Sequence, residues 1–186
     1  QAPNKYIQGK DLLDQLGTFA KPFASNYLIL SGKTAMRVKK EKIEASFASE
    51  GIKCTFVPFN GECTYAEIDR IAGLIKEGGY DGVIGLGGGK VLDTAKAAAY
   101  KYGYMPLIIA PTIASSDAPC SSSAVIYTEE GTVSGAENFN TNPLLVIMDS
   151  QMIVEAPVHT LVAGMGDALA TYFEARVCYD NGFPNT

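Results

Sequence analysis

The run Gly82-Val83-Ile84-Gly85-Leu86-Gly87-Gly88-Gly89-Lys90-Val91-Leu92-Asp93-Thr94-Ala95-Lys96 decides the fold. Residues 82–86 form a short apolar run, the pattern of a strand buried on both faces in a parallel sheet. Three consecutive glycines follow. A helical pattern then runs over 90–100, with Val91, Ala95 and Ala98 on one face at i, i+4, i+7. Glycine between a strand and a helix lets a ligand approach bare backbone. The helix start adds unpaired N–H groups and a positive dipole end, and Lys90 adds a full charge, so the turn reads as a phosphate cradle. A tight turn needing glycine for geometry alone is the plainer alternative. Neither common fingerprint fits. G-x-G-x-x-G matches Gly85 and Gly87 but meets Lys90 at its third glycine, and the P-loop pattern meets Ile84 and Val91 where it needs Gly and Ser/Thr.

Working outward, strands are predicted over 6–8, 27–30 and 54–59 upstream, and over 107–110, 124–127 and 144–148 downstream. Helices are predicted over 11–19 and 36–48, the second ended by Gly51. Thr64-Tyr65-Ala66-Glu67 is a capping box opening a helix that carries Ile68, Ile71, Leu74 and Ile75, and Gly78-Gly79 stops it. Thr128-Glu129-Glu130-Gly131 is a hairpin-like turn. Strands alternating with helices imply a doubly wound α/β fold with a mainly parallel sheet, whose ligands bind beyond the strands' carboxyl ends. After Pro157 the pattern becomes all-helical: over 161–179, Leu169, Phe173 and Val177 form one stripe, and Asp167, Thr171 and Glu174 line another face. We therefore expect a dinucleotide-binding α/β domain over 1–156 and the start of a helical domain over 157–186.

With 186 residues and 47% hydrophobic content, the chain can bury one core and the start of a second. A net charge of −5 without a basic cluster argues against nucleic acid. No apolar run approaches the roughly 18 residues of a membrane span, and no signal peptide is expected. Cys54, Cys63, Cys120 and Cys178 form no C-x-x-C pair, which suits reduced thiols in a cytoplasmic enzyme. The single histidine, His159, reads as a surface residue at a helix start.

Residues 111–123 form a long connection: thirteen residues, Pro111 to Ser123, six of them hydroxyl-bearing, around one acid, Asp117. Segments of this length are usually functional or disordered. Asp117 alone also fits an Asx turn or helix cap before Pro119. Likewise Asp167, in Gly164-Met165-Gly166-Asp167-Ala168-Leu169, fits a simple helix cap.

Three motifs carry a resemblance covering the whole chain. Gly87-Gly88-Gly89-Lys90 with Asp93 and Lys96 resembles the pyrophosphate loop of the iron-containing (group III) alcohol dehydrogenase superfamily. Lys90, the run Pro111-Thr112-Ile113-Ala114-Ser115-Ser116-Asp117-Ala118-Pro119-Cys120-Ser121, and Gly-x-Gly-Asp-Ala-Leu are similar to its glycerol dehydrogenase branch. The resemblance implies Rossmann-like binding of NAD by Gly87, Gly88, Gly89, Lys90, Asp93, Thr112, Ser115, Ser121, Ser123 and Tyr127. It implies Asp117 as the acid that binds the polyol, and Asp167 as one ligand of a divalent metal, expected to be zinc. Two further histidine ligands are expected beyond residue 186, because the chain has about half of the family's usual length. Asp117 and Asp167 are thus the expected catalytic pair. The implied reaction is hydride transfer from glycerol to NAD, giving dihydroxyacetone, with the metal as Lewis acid. The intact enzyme is expected to be a homo-oligomer, and the 186-residue chain alone inactive, as a fragment or one half paired with a complementary C-terminal half.

One departure concerns the cofactor. Family members using NAD often carry an acid after the second strand, whereas Gly32 and Lys33 stand here, and lysine suits a 2′-phosphate. NAD is nonetheless the expected dinucleotide. The alternatives are a nucleotide-binding module without activity of its own, or a relative of dehydroquinate synthase or glycerol-1-phosphate dehydrogenase. The latter pair would call for basic residues that the Asp117 loop does not offer.

Overall fold

The computed structural model describes residues 2–184. Six strands form one sheet: β1 (Lys5–Gly9), β2 (Asn26–Ser31), β3 (Lys53–Pro58), β4 (Gly82–Gly87), β5 (Leu107–Pro111) and β8 (Leu145–Asp149). Their order is β1-β8-β5-β4-β2-β3, and every neighbouring pair is parallel. Between them run α1 (Leu16–Ala20), α2 (Lys33–Ser49), α3 (Tyr65–Gly78), α4 (Gly89–Lys101) and α5 (Ser150–Glu155), and α6 (Val158–Asp180) ends the described chain. A short 3-10 turn, Leu12–Gln15, precedes α1, so the helix predicted over 11–19 is split in two.

Alternation along the strands assigns the two faces. Leu28, Leu30, Val83, Leu107, Ile109 and Val146 pack with α3 and α4, whereas Tyr27, Ile29, Ile84, Leu86, Ile108 and Ile147 pack with α1, α2 and α5. All of β4 is buried, as expected of a central parallel strand covered on both sides. Gly85 lies on the α4 face, where a Cβ would stand 2.9 Å from that of Ala95, so the glycine is what lets the helix sit close. Gly79 closes α3 in the left-handed conformation at φ 61°, as its sequence predicts. The capping box is half realised. Thr64 Oγ1 accepts from the Glu67 N–H at 3.2 Å, but the Glu67 carboxylate turns to Arg70 and to the backbone and side chain of Asn60.

A strand that sequence reasoning missed, β7 (Val133–Asn138), pairs antiparallel with β6 (Ser123–Tyr127) in a separate two-stranded sheet. Its residues are mostly exposed, so no apolar alternation marks it. The strand predicted over 144–148 becomes β8 and pairs parallel with β1 and β5.

The connection after β2 leads through α2 outward to β3, and the connection after β4 leads through α4 the opposite way to β5. The crevice between the carboxyl ends of β2 and β4 is therefore the topological switch point of the sheet, where ligands of open α/β sheets bind. Gly32 follows β2 and the three glycines lead from the end of β4 into α4, so both meet at that crevice. No helix among the described residues is long and apolar enough to cross a membrane.

Candidate dinucleotide-binding site

The floor of the crevice is stitched by backbone. The Gly32 N–H donates to the Leu86 carbonyl at 3.1 Å, and the Thr112 N–H donates to the Gly87 carbonyl at 3.0 Å. A cavity of about 370 Å³ opens above it, bounded by Gly32, Lys33, Asn60, Gly87, Gly88 and Thr112. A second hollow of about 510 Å³ continues from Gly88 and Thr112 to Arg37 and Pro157. Lys33 and Arg37, one turn apart on α2, thus flank the cleft with positive charge. Arg37 was not singled out from sequence, where it reads as an ordinary exposed helix residue.

The glycines differ in why they are glycine. At Gly87 a Cβ would stand 2.7 Å from Val91 Cγ2, and at Gly88 it would stand 2.9 Å from Ile113 Cδ1. Packing explains Gly87, where Val91 Cβ itself stands in the way at 2.8 Å, whereas at Gly88 only the end of the Ile113 side chain would have to swing aside. At Gly89 a Cβ would meet nothing nearer than Ala118 Cβ at 3.7 Å and Ser116 Oγ at 3.8 Å, both ordinary contacts. Gly89 also has helical backbone, which alanine adopts more readily. Neither conformation nor packing asks for glycine at position 89. Bare backbone at the mouth of a helix, between two loops, fits a diphosphate that must come within hydrogen-bond distance of N–H groups.

Lys90 stands beside this turn. Its Nζ lies 2.6 Å from Glu62 Oε1 and 4.7 Å from the centre of the Tyr127 ring. Tyr127 is therefore brought to the loop through Lys90, and Glu62 is a neighbour that sequence spacing gave no reason to expect.

The 111–123 segment folds over the glycine turn, which places Ser116 beside Gly89. Asp117 is exposed, and its carboxylate makes no hydrogen bond within the described residues, so it is neither an Asx turn nor a helix cap. Its backbone N–H instead donates to Asp167 Oδ2 at 3.1 Å. The two acids singled out from sequence, fifty positions apart, are thus adjacent. Gly164 makes this possible: a Cβ there would stand 2.1 Å from the Ala114 carbonyl, so only glycine lets α6 approach the segment.

Three expected cofactor contacts are engaged inside the protein. Asp93 Oδ2 accepts from the Val125 N–H at 3.0 Å, and Oδ1 lies 2.7 Å from Lys96 Nζ. Lys96 is completely buried and also bonds the Ser121 hydroxyl and the carbonyls of Ala118 and Ser123. Ser115 is half-buried in the same segment. Burial, reinforced by the charge of Asp117, pushes the Cys120 thiol above its ordinary value, and burial pushes Cys63 up to about 11. All four cysteines are free.

Among the described residues no group of three His, Cys, Asp or Glu is placed to hold a metal ion. Asp167 offers one carboxylate with Oδ1 uncommitted, and His159 is exposed on α6. The residues present do not by themselves make a metal centre.

A further cavity of about 480 Å³ lies at the opposite edge of the sheet, lined by Tyr100, Tyr104, Met105, Leu107, Asn142 and Leu144 and by no charged group. It offers no positive charge to an anion.

Comparison with known proteins agrees with this geometry. The family described as "Iron-containing alcohol dehydrogenase" matches residues 3–150. A glycerol dehydrogenase of Escherichia coli O6:H1 is 46% identical over 182 residues, covering 98% of this chain and 49% of the relative. One from Thermotoga maritima is 41% identical over 184 residues, covering 98% of this chain and 50% of its own. The crystal structure of a probable glycerol dehydrogenase from Sinorhizobium meliloti superposes with a TM-score of 0.91 at 40% identity, covering all of this chain and 52% of the other. The chain spans about half the length of the curated relatives it matches. On the family match and the shared fold, the chain belongs to the iron-containing alcohol dehydrogenase family.

Proposed function

We propose that this chain is the dinucleotide-binding part of an NAD-dependent polyol dehydrogenase, with glycerol and dihydroxyacetone as its substrate pair. The observation that carries the reading is Gly89, a glycine that neither backbone nor packing requires, at the mouth of α4 on the switch-point crevice. When bound, the nicotinamide ring accepts a hydride from the alcohol carbon. The chain's own residues bind and orient. The first turn of α4 presents N–H groups to the diphosphate, and Thr112 and Ser115 line its path. Lys33 and Arg37 draw the anion to the cleft. The free carboxylate of Asp117 accepts a hydrogen bond from a hydroxyl of the polyol and fixes which carbon faces the ring. Ser121, Ser123 and Asp93 act from beneath, by shaping the segment that carries Asp117.

Asp167 belongs to the same reading as one ligand of a divalent cation, zinc by our choice, whose other ligands lie outside the described residues. Residues 157–184 would then open a helical domain. This is supported by α6, none of whose residues is buried, with Leu169, Phe173 and Val177 all more than half exposed. A relative acting on phosphorylated substrate is disfavoured by the absence of Lys and Arg between residues 111 and 123.

The test is titration of the chain with NADH, followed by nicotinamide fluorescence. Saturable binding that NAD displaces and inorganic phosphate does not is expected. No saturable binding at cofactor concentrations up to the millimolar range would refute the reading.

A further inference from the structure

We infer that Lys96 is a positioning residue: it fastens the Asp117 segment to the same helix whose first turn forms the glycine cradle. This rests on the reading of the site given above.

Lys96 is a wholly buried ammonium on a helix whose other buried residues, Asp93 and Thr94 apart, are apolar or aromatic. An ammonium has three protons to give. Three acceptors and one counter-charge surround this one. The Ala118 carbonyl at 3.0 Å, Ser121 Oγ at 3.0 Å and the Ser123 carbonyl take its protons, and Asp93 Oδ1 lies 2.7 Å away as an ion-pair partner without a hydrogen bond. Three of the four belong to the segment that leads away from Asp117. The fourth, Asp93, holds β6, into which the segment runs, by accepting from the Val125 N–H. Asn142 adds an outer tie, donating to the Cys120 carbonyl at 2.8 Å.

Such a cluster is more than a way to bury a charge. Without Lys96, the Ala118 and Ser123 carbonyls would keep only the long contacts from the Ser121 hydroxyl, at 3.3 and 3.5 Å, and Asp93 would be a buried carboxylate without a counter-charge. With it, a segment that has no regular structure of its own is fixed at its C-terminal end to α4. Its N-terminal end is fixed by the Thr112 N–H on Gly87. Asp117 sits between these two anchors and is held through its backbone alone, its N–H donating to Asp167 and its carbonyl accepting from the Cys120 N–H at 3.0 Å. Both anchors run to the glycine turn or the helix that follows it. Cofactor and polyol groups are therefore referred to one rigid element, the condition for a hydride donor and acceptor to meet at a fixed distance.

The test compares the wild-type chain with Lys96→Met, which keeps the length of the side chain and removes its donors. In case the lone Asp93 carboxylate prevents folding, the neutral pair Asp93→Asn/Lys96→Met is the second variant. Amide hydrogen exchange over residues 114–123 is expected to accelerate at least tenfold, with β4 and α4 keeping their protection. In Lys96→Met the affinity for NADH stays within about twofold. In steady-state kinetics of the enzyme that carries the chain, the polyol KM rises at least tenfold at unchanged KM for NAD, a split that general loss of fold does not produce. Unchanged exchange over 114–123 overturns the proposal, and so does acceleration spread equally over β4 and α4. Selective acceleration in a chain whose wild type binds no NADH supports the anchor and refutes the dehydrogenase reading, so the two can fail separately.

Discussion

Replacing Gly89 by alanine separates folding from binding. In the free chain the added methyl meets only Ala118 Cβ at 3.7 Å and Ser116 Oγ at 3.8 Å, so nothing must move. Alanine also restricts the unfolded chain and favours helix, which contributes up to about 1 kcal/mol of stability. For a chain of this size that is a rise in Tm of about 2–4 °C. The same methyl stands in the gap between the glycine turn and residues 115–118. A diphosphate there must come to about 2.9 Å of the turn's N–H groups, and a Cβ holds it away. Loss of one or two charge-assisted hydrogen bonds, each about 1.5–3 kcal/mol, weakens binding by at least about tenfold. The assay is NADH fluorescence titration beside thermal unfolding on the same samples. Gly89→Ala that unfolds no earlier than wild type and binds NADH at least tenfold more weakly is the expected outcome. Unchanged affinity would show that no ligand needs the bare backbone at 89, and a large fall in Tm would show that packing had needed it.

Gly164→Ala places a Cβ 2.1 Å from the Ala114 carbonyl, so α6 must lift from the segment and the Asp117–Asp167 bond must break. Faster exchange of the Asp117 amide is expected, at a cost of about 1–3 kcal/mol; an unchanged amide would refute the contact. Burial raises the Asp81 carboxyl, but the Ser25 hydroxyl and the amides of Asn26 and Ser25 outweigh it and hold the group below its ordinary value. The Asp14 carboxyl is held low in the same way, by Lys39 and Lys42 against the effect of burial. Their contribution is complete above the ordinary carboxylate range and is lost as pH falls through it toward the folded values. The Tm gap between wild type and Asp81→Asn therefore narrows between pH 6 and pH 3, whereas a constant gap would contradict the assignment. Lys33→Glu is expected to raise the preference for NADH over NADPH at least tenfold, read from the two dissociation constants, because the lysine borders the cleft where no acid stands.

The central strand, its glycines and α4 were legible because three signals coincide there: a continuous apolar run, then glycine, then a 3.6-residue period. The other parallel strands follow from the same logic of burial on both faces. β7 was not legible, since Val133–Asn138 is exposed almost throughout and pairs through backbone alone. Asp117 and Asp167 were singled out from sequence, but their adjacency was not. That depends on Gly164, whose role appears only when the Ala114 carbonyl is seen against it. Ser121, Ser123 and Asp93 were read as cofactor contacts; in the structure the Ser121 hydroxyl, the Ser123 carbonyl and the Asp93 carboxylate stand against Lys96. The i, i+3 spacing of Asp93 and Lys96 on an alanine-rich helix was the available signal, because a charged pair on a helix's inner face must be spent inside the protein. The stripe read over Leu169, Phe173 and Val177 lies on α6, and nothing among the described residues covers it.

The most direct test of the central claim is a backbone amide NMR titration of the chain with NADH. The amides of Gly88, Gly89, Lys90 and Thr112 are expected to shift together with saturation, while those around Tyr100, Tyr104 and Asn142 at the opposite edge stay still. Shifts confined to that opposite edge, with the glycine turn unmoved, would contradict the account.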